Sequence, residues 1–84
     1  MRGSLERFDE RKLEALILAL KEGKISVTDL SYRAKVKPDV AASVLEDLFR
    51  RGLLVRVSND VFEPNYASPV ISCLAQLLEI IFRS

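Results

Sequence analysis

The chain has no histidine, no tryptophan and one cysteine, Cys73, among its 84 residues. One cysteine excludes an internal disulfide, and without histidine a zinc site has too few donors, so no metal or other cofactor is expected. Ser–His and Cys–His nucleophile pairs are excluded within the chain. Only three glycines are present, and none forms a phosphate-cradling loop. No apolar run reaches the ~18–20 residues of a membrane span. The N-terminus shows no secretory-signal layout, although Met1–Ser4 resembles an expression leader. A reducing, cytoplasmic location is the expectation, with no membrane role.

Hydrophobic residues make up 49% and charged residues 30%, which places the chain among globular domains rather than disordered ones. The length fits one small domain. The net charge of +1 hides an uneven distribution. Residues 1–23 sum to zero. Residues 24–56 hold Lys24, Arg33, Lys35, Lys37, Arg50, Arg51 and Arg56 against Asp29, Asp39, Glu46 and Asp47, which gives +3. Residues 57–84 sum to −2. The middle third is the electropositive part, which fits either ordinary solvated surface or contact with an anionic partner.

Periodicity predicts the elements. From Leu5 to Glu22, the residues Phe8, Leu13, Leu16, Ile17 and Leu20 approximate one helical stripe, with Leu18 off it. Ser4 and Asp9 offer competing starts, and Gly23 suits the left-handed residue past the end. Ser26 with Asp29 resembles a capping box for a short helix, Val27 to about Arg33. Lys35-Val-Lys37 is a short connection. Pro38 fits the first turn of another helix, running to about Arg51, whose buried stripe is Ala41, Val44, Leu45 and Leu48. Gly52 closes it. Leu53–Val57 and Val61–Glu63 then flank the turn-forming Ser58-Asn59-Asp60, which reads as a two-stranded hairpin. Ser68-Pro69 starts a last helix, apolar over most of its circumference from Val70 to Phe82, whose only polar line is Ser72, Gln76, Glu79 and Arg83.

This order, helix, short helix, turn, helix, hairpin, resembles the winged helix-turn-helix superfamily, in the manner of MarR- and ArsR-like regulators. Leu30, Pro38, Leu48, Gly52, Leu53 and Leu54 carry the resemblance, which covers residues 5–66. It implies a mainly α fold with a small β-hairpin, a winged helix-turn-helix domain at 5–66, and an extra C-terminal helix at 67–84. It also implies double-stranded DNA as partner, read by the second helix of the motif in the major groove. On that reading Arg33, Lys35, Lys37, Arg50, Arg51 and Arg56 contact phosphates, Val40, Ala42 and Ser43 touch base edges, and Arg56 and Asn59 at the wing reach the minor groove.

The outward positions of that helix are otherwise a poor reading face. Asp39, Glu46 and Asp47 would meet phosphate repulsion, and an acidic, apolar-tinged face equally fits a protein partner. Arg50 and Arg51 also suit the negative end of a helix, and Asp39 suits a first turn. Tyr32, Tyr66 and Cys73 read as packing residues.

Ten apolar residues on the last helix need cover. One side fits against Leu5, Leu18 and the first helix. The rest, Val70, Ile71, Leu74, Leu77, Leu78 and Ile81, suits a homodimer interface, or else completes a single small core. Burying five further aliphatic side chains would contribute on the order of 7–15 kcal/mol before ordering costs. The carboxylates are spread over helix surfaces with no convergent pocket, so an enzyme is not expected. The expectation is therefore a small dimeric DNA-binding protein, a transcriptional regulator, with a protein-docking winged helix as the alternative.

Overall fold

A computed structural model describes residues 10–83. The expectations placed on Ser4, Leu5, Phe8 and Asp9 lie outside these residues. The elements run α1 (Glu10–Glu22), β1 (Ile25–Ser26), α2 (Val27–Ala34), α3 (Pro38–Arg50), β2 (Leu54–Ser58), β3 (Val61–Pro64) and α4 (Pro69–Arg83). The strands form one antiparallel sheet in the order β1-β3-β2. The expected hairpin is present, with a bulge between Arg56 and Ser58, but β3 also pairs with β1 through Ile25↔Phe62 and Ser26↔Val61. A two-residue strand is too short to show alternation, and Ile25 reads from sequence as the approach to α2.

Each helix end has a local cause. Ser26 Oγ accepts from the Asp29 N–H at 3.0 Å, which caps α2. Pro38 opens α3, where its missing N–H leaves no intrahelical bond unmade. α3 closes in a Schellman arrangement: Gly52 N–H donates to Phe49 O and Leu53 N–H to Leu48 O, both at 3.0 Å. Gly52 holds the left-handed conformation this requires, φ +81°.

One core gathers Leu16, Ile25, Leu30, Leu45, Leu48, Leu54, Phe62 and Ile71, all with almost no exposure. The expected α3 stripe, Ala41, Val44, Leu45 and Leu48, is buried as read. The α1 stripe is rotated from its expected position. Ala15, Leu16 and Ala19 are buried, while Leu13 is exposed and Ile17 half-buried. Weighting by large aliphatics tilts the predicted face; the two alanines face the core because small side chains admit the neighbouring elements closely.

Tyr32, Tyr66 and Cys73 are exposed, against the expectation that they pack inside. Tyr32 sits on the outer face of α2, opposite Leu30. Cys73 lies on the side of α4 turned away from Ile71.

Candidate nucleic-acid interface

The helix-turn-helix is α2, the residues 35–37, and α3. Its turn is tied at both edges by one serine. Ser31 Oγ donates to Val36 O at 2.7 Å, and Ser31 O accepts from the N–H of Val36 at 3.2 Å and from that of Lys35. The chain reverses through Lys35 at φ 57°, ψ 47°, a left-handed position without glycine. This geometry projects Lys35 and Lys37 into solvent beside the N-terminus of α3. Among the described residues neither lysine forms an ion pair, and neither does Arg50. Arg33 is exposed and lies 3.6 Å from Glu22.

On α3 the side opposite the core carries Asp39, Ser43, Glu46 and Arg50, at spacings of four, three and four. Ser43, Asp39 and Arg50 are exposed, Val40 and Glu46 half-buried. Asp39 Oδ1 accepts from the Val40 N–H at 2.9 Å, so it serves its own helix start as well. Asp47 points toward α1. Its Oδ2 takes Lys12 Nζ at 3.0 Å and Arg51 Nε at 2.7 Å. Hydrogen bonds from Arg51, then from Lys12, hold its carboxyl below the usual carboxylate range. Arg51 is thus committed to a structural pair. Lys12 and Asp47, with Arg11, Ser43, Val44 and Arg50, border a charged cleft of about 460 Å³ between α1 and α3.

The wing differs from the sequence expectation in one respect. Arg56 does not project freely. It donates through Nη2 to Glu46 Oε2 and through Nη1 to the Asn59 carbonyl at 2.8 Å. Its guanidinium carbon stands 4.9 Å from the Phe62 ring centroid and 5.3 Å from that of Phe49. The two rings are tilted by 57° at 6.2 Å. Asn59 is exposed at the hairpin tip. Glu46 and Arg56 are ten residues apart, in a helix and a strand, and no spacing rule joins them. Phe49 carries no signal beyond its place beside the α3 stripe.

α4 leaves the hairpin through Asn65. Its Nδ2 donates to Gly52 O at 2.8 Å, its Oδ1 accepts from Ala67 N–H at 3.1 Å, and its own N–H donates to Leu53 O at 3.0 Å. Of the residues expected at a dimer interface, Ile71 is taken up by the chain's own core and is fully buried. Leu74 is half-buried against that core, and Leu78 half-buried beside Leu20 and Tyr66. Val70, Leu77 and Ile81 are exposed, as are Ile80 at 64% and Phe82 at 59%. The sequence pattern could not separate inward from outward positions, because α4 is apolar on nearly every side. Among the described residues no helix is long and apolar enough to cross a membrane.

A helix-turn-helix followed by a hairpin packed on the second helix defines a winged helix-turn-helix fold. Solved structures agree. The reduced form of HlyU from Vibrio cholerae N16961 superposes with a TM-score of 0.69 and 24% identity, over 95% of this chain and 84% of that one. A possible transcriptional regulatory protein from Mycobacterium bovis (fragment 1–100) gives 0.65 and 19%, over 90% and 82%. No protein-family model matches the chain, and no curated protein sequence does.

Proposed function

We propose that this chain is a small DNA-binding winged-helix protein that regulates transcription in the cytoplasm, with residues 5–66 as the DNA-binding unit and 67–84 as a dimerisation helix. The observation that carries this reading is the placement of Lys35 and Lys37, exposed and unpaired among the described residues, beside the N-terminus of α3. Lysines there, with the positive end of the helix dipole, suit backbone phosphates flanking a major groove. Arg33 in the last turn of α2 and Arg50 at the far end of α3 add further exposed cations, and Val40 and Ser43 are the side chains available to base edges. The fold shared with a possible transcriptional regulatory protein supports it. With few base-reading side chains, binding is dominated by phosphate contacts and depends steeply on salt.

α4 supports a two-fold pairing. Val70, Cys73, Leu77 and Ile80 lie exposed at spacings of three, four and three, the seam of a helix pair. Two copies would set two α3 helices about one turn of DNA apart.

The acidic outer stripe of α3, Asp39 and Glu46, favours a second reading, docking of a basic protein surface. Fluorescence anisotropy with a random-sequence duplex at two salt concentrations separates the two. The DNA reading expects micromolar or tighter binding at low salt that Lys35→Glu with Lys37→Glu abolishes. No binding by the unaltered protein at low salt removes it and leaves the docking reading.

A further inference from the structure

Arg56 is the single cation of the wing strands, and four groups of the chain contact it. Glu46 from α3, the Asn59 carbonyl from the hairpin tip and the faces of Phe49 and Phe62 all meet its guanidinium. Glu46 in turn belongs to the outward stripe Asp39, Ser43, Glu46 and Arg50. On the DNA-binding reading, on which this inference rests, that stripe enters the groove. A bare carboxylate there would face phosphates at close range.

We infer that Arg56 is a positioning residue rather than a phosphate or minor-groove contact: it covers the Glu46 carboxylate on the groove-facing side of α3 and fixes the wing's angle to that helix. The two rings explain why an arginine suits the place. A planar guanidinium stacks on aromatic faces while its edge still donates to a carboxylate and a carbonyl, which a lysine ammonium does less well. The bulge between Arg56 and Ser58 re-aims the strand at this point.

The two roles for Arg56 predict opposite genetics. A phosphate contact, when lost, lowers the salt slope by about 0.9, and changing Glu46 does not restore it. A charge cover, when lost, weakens binding by exposing Glu46 to the phosphates, and the loss is suppressed when Glu46 loses its charge.

The test compares the unaltered protein, Arg56→Met, Glu46→Gln and the double variant, by anisotropy with a random-sequence duplex across a salt series. Methionine keeps an apolar stem over the two rings, and thermal melts check that every variant folds. Arg56→Met is expected to weaken binding about fivefold or more at low salt. Glu46→Gln in the same chain is expected to return affinity at least to that of the unaltered protein. A loss that Glu46→Gln does not rescue, or no loss at all, overturns the inference. Absence of binding by the unaltered protein is a different result, and removes the DNA reading together with the inference built on it.

Discussion

Lys35 occupies a left-handed backbone position that glycine would adopt without steric cost. Its side chain projects from the turn into solvent. On the proposed DNA reading, stability and affinity pull in opposite directions at this residue. Lys35→Gly is expected to raise stability by about 0.5–1 kcal/mol in urea denaturation, and to lower both DNA affinity and the salt slope, the latter by about 0.9. Asp47 gives a second prediction. Its folded pKa lies below the ordinary 3.8, with Arg51 as the first cause and Lys12 as the second. A depressed carboxyl contributes stability that is present above the unfolded value and lost as pH falls through the folded one. In an acid titration, Asp47→Asn is expected to remove a step of stability below about pH 4, worth about 0.5–1 kcal/mol for a pair so open to solvent. The variant and the unaltered protein converge at lower pH. An identical pH profile for both would show that the Lys12 and Arg51 contacts contribute nothing.

Elements differ in how much of them is written locally. α2 and α3 were legible because their signals sit within a few residues: Ser26 with Asp29, Pro38, and Gly52 after the leucine stripe. The hairpin was legible from Ser58, Asn59 and Asp60 between apolar runs. β1 was not, since a strand of two residues exists only through its pairing with β3. The buried face of α1 was misread because Ala15 and Ala19 are chosen for closeness to their neighbours, which periodicity of large side chains does not record. The candidate interface divides in the same way. Lys35 and Lys37 followed from the turn, whereas Ser31, Asn65 and the Glu46–Arg56 pair depend on contacts between segments five to thirteen residues apart.

At the scale of the whole molecule, α4 sets the question of assembly. Its exposed seam lies away from Ile71, so a charge there disturbs pairing without opening the core. Leu77→Asp is expected to sediment with the mass of one chain while the unaltered protein sediments as two, and both are expected to show the same circular dichroism. The same variant is expected to bind a random-sequence duplex more weakly, because two linked contacts become one. If the unaltered protein sediments as a single chain at tens of micromolar, the pairing is refuted. The attachment of α4 has its own mechanical result. Asn65 and Ile71 hold the near end, Leu74 and Leu78 rest on the body along its length, and Lys21 Nζ stands 5.6 Å over the Phe82 ring toward the far end. A helix of 15 residues is about 22 Å long, so a change in tilt of roughly 10° about that pivot carries its tip about 4 Å. If two copies pair through these helices as proposed, a small change in the tilt of α4 becomes a larger change in the distance between the two proposed DNA-facing surfaces, and the leverage is greatest where the arms are longest.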